Sequence, residues 1–507
     1  RLYLYRYWQY EQALADQLLR RACDAPDVDI AALRDGLERL FPDPRDGEQK
    51  RAAAMAVLRR FCVISGGPGT GKTHTVVKIL ALLAAQARGG RLAVALAAPT
   101  GKAAARVQES VRQAVERFAA DDPVRACIPA EAHTLHRLLG ARPGSVRYRH
   151  DREHPLALDV LVVDEASMAD LALMAKLLAA LPAGARLILL GDKDQLASVE
   201  AGAVLGDICA ESGFTRGFAA RLAAAGAPRP HGDEPEERSP LADSIALLNR
   251  SYRFGSETGI GQLATAVNRG DGPVAMALLN AGNHSDIAWK SIAAPQLKTA
   301  LAEHAFDRLS AYLEGARSGN AVVAFERFNA FRVLCAHRNG PAGAIAVNRI
   351  LEAALDQHGL IDARRDWYAG RPVMVARNDY GVQLFNGDVG ITLPDPDAGG
   401  ALKVFFPDAG SGMRKVAPLR LPEHETAYAM TVHKAQGSEF AHVLLILPGE
   451  MSRVLSRELV YTGITRARQS VEIWSADAVL AAAIERRLAR ASALRDRLWL
   501  PRVQPLK

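Results

Sequence analysis

The residues whose types and spacing suit chemistry are the stretch GGPGTGKT at 66–73 and the acidic pair Asp164 and Glu165, which closes the apolar run LDVLVVDEAS at 158–167. The first fits G-x-x-x-x-G-K-[ST]. Its glycines let backbone N–H groups turn toward phosphate oxygens, and the helix that follows adds the partial positive charge of its N-terminus. On this reading Gly66, Gly67, Pro68, Gly69, Thr70, Gly71, Lys72 and Thr73 hold a nucleoside triphosphate, Lys72 neutralises the β and γ oxygens, and the Thr73 hydroxyl ligates Mg²⁺. Asp164 would hold the same Mg²⁺, and Glu165 would orient and deprotonate the attacking water. The chemistry expected is hydrolysis of a nucleoside triphosphate. A chance glycine-rich turn beside an unrelated acidic helix cap is the plain alternative, and it is set aside because both motifs stand in the context they require.

That context is a set of rigid mounts. FCVIS at 61–65 reads as a strand and THTVVKILALLAAQ at 73–86 as a helix, while 160–163 is apolar on both faces, as a buried parallel strand must be. With RLAVALAAPT at 91–100 and ARLILLGD at 185–192, these alternate with helical stretches and predict an α/β domain with a parallel sheet over 46–210. GARPGSVRYRHDREHP is too polar for a helical unit, and an inserted basic hairpin is expected at 140–156. Residues 1–45 read as a helical lead-in, with Leu14, Leu18, Leu33, Leu37 and Leu40 at near-helical spacing before FPDPRDG. The prolines and charges of PRPHGDEPEERSP place a linker at 211–240. A second α/β domain is expected over 241–369 and 425–507, carrying FRVLCAHR, AIAVNRILEAAL and HVLLILP. The turn-rich strands RPVMVARND, FNGDVGITL and ALKVFFPD suggest a small β-barrel inserted at 370–424.

At 507 residues the chain calls for about three domains. Charged residues make up 23%, and the apolar runs fall short of the ~18 residues of a membrane span, which argues against that class. The five cysteines are widely separated and lack metal-ligand spacing, so reduced thiols in a cytoplasmic protein are expected and structural zinc is not. The net charge of +7 favours a nucleic-acid partner only weakly. The first residue is Arg1 and not Met, so the chain is expected to begin inside a longer gene product.

Further along, the ordered series GGPGTGKT, APTGKAAAR at 98–106, AHTLHRLLG at 132–140, VVDEAS, LGDKDQLASVEAG at 190–202, SYRF at 251–254, AMTVHKAQGSEF at 429–440 and YTGITRAR at 461–468 resembles the superfamily 1 helicases, most closely the RecD family. The last two motifs separate a helicase from a generic P-loop ATPase. The resemblance implies two RecA-like P-loop domains with parallel sheets, and an SH3-like barrel at 370–424. It implies that Gln49 reads adenine, that Gln195 senses the γ-phosphate, and that Arg253 and Arg466, presented by the second α/β domain, stabilise charge on the γ-phosphoryl oxygens. Single-stranded DNA would run over Pro99, Thr100, Gly101 and Lys102, over Thr134 and His136, and over Thr431, His433 and Lys434. His136 is equally well read as a structural histidine, and Arg147 and Arg149 either touch displaced DNA or are solvated.

What the resemblance implies overall is an ATP-dependent 5′-to-3′ DNA helicase subunit of an exodeoxyribonuclease V of the RecBCD type. RecB-like and RecC-like partners would complete a heterotrimer acting on single-stranded and duplex-end DNA in double-strand break repair. Outside the nucleotide site the sequence has no compact cluster of carboxylates with a lysine, so nuclease chemistry is expected in a partner. Two features depart from the family: His74 follows GKT, where a small hydroxyl residue is common, and the N-terminal docking domain would lie upstream of Arg1. A free-standing helicase of the same branch, for repair or plasmid transfer, and a regulatory subunit using its ATPase as a switch are the other two readings. DNA-stimulated turnover with strand displacement separates motor from switch.

Overall fold

The structure, a computed structural model, describes residues 4–87, 92–116, 118, 124–142, 145–198, 200, 202–229, 238–255, 257–292, 294–379, 381–408, 412–488 and 492–500. It divides into two compact units, Arg1–Arg253 with Ala489–Lys507, and Phe254–Leu488.

The first unit is built on six strands: β1 (Phe61–Gly66), β2 (Val94–Ala98), β3 (Ala132–Thr134), β4 (Val160–Val163), β5 (Arg186–Gly191) and β6 (Ile245–Leu248). They form one all-parallel sheet in the order β3-β2-β4-β5-β1-β6. Successive side chains of a strand face opposite ways, and here both faces are buried. Cys62, Ile64, Val160, Val162, Ile188 and Leu190 join one core with Leu33, Leu37, Val76 and Leu80. Phe61, Val63, Leu161, Val163, Leu187 and Leu189 join the other with Leu14, Leu18 and Leu177. The lead-in is therefore two helices, Tyr5–Cys23 and Ile30–Leu40, each with its leucines packed on a different face of the sheet. Arg21 ties the first of them down, its guanidinium donating to the carbonyls of Leu181, Pro182, Ala183 and Ala185 at 2.8–3.1 Å.

Three expected boundaries shift. Residues 241–253 belong to the first unit, because β6 lies parallel to β1 with Val63 opposite Ile245. The helix Arg216–Ala224 lies inside the span expected as linker, yet it buries Phe218 and Leu222 in the first core under an N-cap from Thr215. Within that span, 230–237 fall outside the described residues. The helix Leu494–Trp499, expected in the second domain, lodges Leu494 and Leu498 in the first unit's core, with Ser239 Oγ donating to Leu498 O at 3.1 Å. Within the inserted basic segment an antiparallel bridge pairs Ala141 with Tyr148.

The second unit contains β7 (Ile287–Lys290), β8 (Phe331–Cys335), β9 (Pro372–Val375), β10 (Val389–Asp395), β11 (Ala401–Pro407), β12 (Met413–Val416), β13 (His424–Thr426), β14 (Ala429–Thr431), β15 (Phe440–Ile446) and β16 (Ala467–Trp474). Five of these make an all-parallel sheet, β14-β8-β15-β16-β7. The insertion makes an antiparallel sheet, β12-β11-β10-β9-β13, around a core of its own that includes Val373, Val375, Val404 and Phe406. Among the described residues no helix is long and apolar enough to cross a membrane. All five cysteines are free, and burial pushes the thiols of Cys62 and Cys209 up to about 12.

Candidate nucleotide and nucleic-acid sites

β1 runs straight into the glycine-rich loop, and the helix Lys72–Gln86 leaves it behind Gly71. Two glycines are required by what surrounds them. A Cβ on Gly66 would meet Thr70 Oγ1 at 2.7 Å and Leu248 O at 2.8 Å. At Gly69, where φ is +77°, a Cβ would lie 2.4 Å from Arg253 Cβ. The loop is internally braced: Thr70 Oγ1 donates to Gly67 O at 2.9 Å, and Thr75 Oγ1 to Gly71 O at 2.9 Å. The Lys72 ammonium folds onto the loop's own carbonyls, Gly66 O at 2.5 Å and Gly67 O at 3.0 Å. Thr73 is half-buried on the first helical turn, and His74 is exposed beside it.

The segment after β6 closes over this loop. Tyr252 N donates to Gly69 O at 2.8 Å, and Ser251 Oγ to Pro68 O at 3.0 Å. Arg253 thus lies in the first unit, against the glycine-rich loop, and not in the second α/β domain where it was expected. The cause is the pairing of β6 with β1, which fixes the five residues that follow. Glu48 secures the same segment by accepting from Asn249 N at 2.8 Å and Arg250 N at 3.1 Å.

Gln49 is buried, and its Nε2 donates to Thr70 O at 3.0 Å. Its Oε1 is buried without a hydrogen-bond partner among the described residues, so the amide keeps an acceptor for an exocyclic amine. The ring of Tyr252 lies close by, its Cε2 3.9 Å from where a Gly71 Cβ would stand and Gln49 Nε2 3.8 Å from that point. The Tyr252 hydroxyl donates to Asp46 Oδ1 at 2.7 Å, and burial together with that carboxylate pushes it up to about 12. This aromatic was missed in the sequence although it precedes Arg253 in SYRF.

Asp164 follows β4 directly, accepting from Glu165 N at 2.8 Å. Burial and the neighbouring Glu165 raise its pKa, and Lys72 pulls it down, so the two motifs sense each other electrostatically. Glu165 has φ 50°, a left-handed backbone that costs a non-glycine residue about 1 kcal/mol. Such strain is found where a fold holds a side chain in a required direction. Beyond β5, Lys193 N donates to Ser65 Oγ of β1 at 3.1 Å. Gln195 Nε2 donates to Asp192 Oδ2 at 3.0 Å, and its buried Oε1 has no partner among the described residues. The first unit therefore brings together Gln49, the loop 66–73, Ser251, Tyr252 and Arg253, with Asp164 in electrostatic reach.

The residues expected along DNA fall into two groups. In the first unit β2 and β3 are neighbours, with Ala98 opposite Thr134, so Pro99–Lys102 and Thr134 leave the same sheet edge. Thr100 Oγ1 accepts from Ala103 N and Thr134 Oγ1 from Arg137 N, both at 3.2 Å, so each hydroxyl caps a helix. His136 is exposed, its ring 6.0 Å from that of Tyr148 in the hairpin. In the second unit Thr431 Oγ1 accepts from Lys434 N at 3.3 Å, with His433 between them. Lys434 Nζ is ion-paired to Glu425 Oε1 at 2.5 Å. Arg466 is buried in this unit, Nε donating to Thr462 O and Nη1 to Ser438 O, both at 3.2 Å.

Residues 49–201 match the family described as AAA domain, and residues 426–473 the family described as UvrD-like helicase C-terminal domain. The chain is similar to the RecBCD enzyme subunit RecD of Mycobacterium tuberculosis strain H37Rv, 44% identical over 98% of this chain and 80% of that protein. It is similar to the subunit of the same name from Mycolicibacterium smegmatis, 42% identical over 98% of this chain and 82% of that one. The subunit from Haemophilus influenzae is 37% identical over 97% of this chain and 79% of its own length.

Proposed function

The chain belongs to the RecD family, and from that premise we propose that it is an ATP-dependent DNA helicase subunit of a RecBCD-type exodeoxyribonuclease V. It works with RecB-like and RecC-like partners on DNA ends in double-strand break repair, in the cytoplasm, and moves 5′-to-3′ along single-stranded DNA. The nuclease activity resides in a partner. The observation that carries this reading is the docking of SYRF on GGPGTGKT, by Tyr252 N on Gly69 O at 2.8 Å, because it joins two distant motifs of the series in one phosphate-binding corner.

In that corner the amide of Gln49 reads the base edge through its unpartnered Oε1, with the Tyr252 ring as an apolar wall. Lys72 leaves its two carbonyls for the β and γ oxygens, an exchange of neutral partners for charged ones. Thr73 and Asp164 are hard oxygen donors that suit Mg²⁺, and a cation answers the unfavourable burial of the Asp164 carboxylate. When bound, Mg²⁺ neutralises charge on the phosphate oxygens. Glu165, held in its strained backbone, takes the proton of the attacking water, and Gln195 orients toward the γ-phosphate. Arg253 stabilises charge on the γ-phosphoryl oxygens, and Arg466 keeps the like role that its intact motif implies. We infer that the antiparallel sheet β9–β13 is the SH3-like barrel of the 5′-to-3′ branch.

The test is ATP turnover against single-stranded DNA concentration, with displacement of strands blocked at either end, in the presence and absence of the partner subunits. Turnover that rises with DNA and displacement from the 5′ side support the reading. Slow turnover indifferent to DNA overturns it in favour of a switch.

A further inference from the structure

β8 and β14 are adjacent and parallel, with Thr431 opposite Cys335, so the chain leaves both strands at the same carboxyl edge of the second sheet. In open α/β sheets this is the edge that presents ligand-binding loops. Three residues past β8 the chain reaches Arg338, and three past β14 it reaches Lys434. β13, from the antiparallel sheet, delivers Glu425 between them. Lys434 Nζ takes Glu425 Oε1 at 2.5 Å, while Arg338 Nε and Nη2 take Oε2 at 3.3 and 3.2 Å. One carboxylate thus holds two cations from the segments that follow two different strands.

The arginine is not consumed by this contact. Its side chain is 55% exposed, and among the described residues Nη1 makes no hydrogen bond. Glu425 engages the Nε–Nη2 side of the guanidinium and makes no hydrogen bond along the Nη1–Nη2 edge. Two parallel N–H groups on that edge match two non-bridging oxygens of a phosphodiester. Lys434 is fixed twice, at its ammonium by Glu425 and at its backbone N–H by Thr431 Oγ1.

We propose that Arg338 is a further phosphodiester-binding residue of the single-stranded DNA track, and that Glu425 is the positioning residue that aims Arg338 and Lys434 at consecutive phosphates. This rests on the reading that residues 431–434 face DNA. A carboxylate beside a polyanion repels it at long range, so its presence between two phosphate-seeking cations is explained by orientation and not by bulk charge. Removing it should therefore weaken binding, although the protein becomes more positive.

The experiment is fluorescence anisotropy of a labelled oligo(dT) with the full chain, without nucleotide, from 50 to 200 mM salt. For the wild type, affinity falls with salt. In Arg338→Ala the slope of log affinity against log salt is expected to drop by about 0.7, the share of one phosphate on a single strand, so the loss of affinity across that range is roughly 2.6-fold smaller. Arg338→Lys should not restore the affinity, since a point charge lacks the second N–H of the edge. Arg364→Ala, a cation whose side chain is 88% exposed and which pairs with Asp362, is the control and leaves the slope unchanged. Glu425→Ala should bind more weakly than wild type, and Glu425→Gln is read in its place if the alanine variant melts early. An Arg338→Ala slope equal to that of wild type, or tighter binding in the Glu425 variant, overturns the proposal. If wild type binds and Lys434→Ala lowers the slope while Arg338→Ala does not, this inference alone fails. If wild type itself does not bind, the underlying reading fails with it.

Discussion

The two parallel sheets are made from the same kind of strand, yet the lysines at their carboxyl edges are held in opposite ways. Lys72 rests on two neutral carbonyl oxygens, those of Gly66 and Gly67. Lys434 rests on the carboxylate of Glu425, which also holds Arg338. An ammonium on carbonyls gives up its partners cheaply when a polyphosphate arrives, whereas one on a carboxylate keeps its direction and is slow to be re-partnered. On the proposed reading, the first edge serves a ligand that comes, is cleaved and leaves. The second suits a polymer that slides past fixed charges. Their shared architecture does not decide this; the loops do.

The strongest way to break the contrast is Lys72→Gln, expected to cut DNA-stimulated ATP turnover roughly 10³-fold while leaving single-stranded DNA binding largely intact. Retained hydrolysis would refute the assignment of the first edge. Next comes Gly69→Ala, whose Cβ would press to 2.4 Å on Arg253 Cβ. We expect kcat/KM for ATP to fall roughly ten- to hundredfold, as for a misplaced catalytic group. The matched change Gly400→Ala, at φ +85° with nothing within 4 Å, should cost about 1 kcal/mol in unfolding experiments and leave turnover alone. Gln49→Ala removes one acceptor from the base and should raise KM for ATP about tenfold with kcat unchanged, erasing the preference for ATP over GTP in competition assays. The smallest effect is at the second edge, where Lys434→Ala should lower the salt slope of DNA binding by about 0.7 at unchanged basal ATPase. A loss of basal turnover in that variant would blur the division between the two edges.

Strands that are apolar on both faces were plain in the sequence, and β1, β2, β4, β5, β8 and β15 lie where such runs occur. The short strands were not: β3 is three half-buried residues, and β7 has one buried residue in four. β6 belongs to the first unit although chain order groups it with the second, because sheet neighbours need not be chain neighbours, and no local pattern in IALL announces β1 as its partner. At 211–240 the prolines and charges outweighed Phe218 and Leu222, whose helical spacing and Thr215 cap are as readable as any in the lead-in. In the site, residues inside motifs were legible because their spacing is local. Tyr252 beside Gln49, and Glu425 beside Arg338 and Lys434, depend on contacts between distant segments, which periodicity does not carry.

The return of the chain to the first unit also has a bearing on how the molecule is made. Leu494 and Leu498 share a core with Leu14 and Leu18, near the opposite end of the described chain. A ribosome therefore delivers the whole of Phe254–Leu488 before it releases Leu494 and Leu498, which line the same compartment as the helix Tyr5–Cys23. A nascent chain halted at Leu488 would carry the residues of the interrupting unit while the helix Tyr5–Cys23 still lacked Leu494 and Leu498 as neighbours, a state that invites a chaperone until those residues emerge.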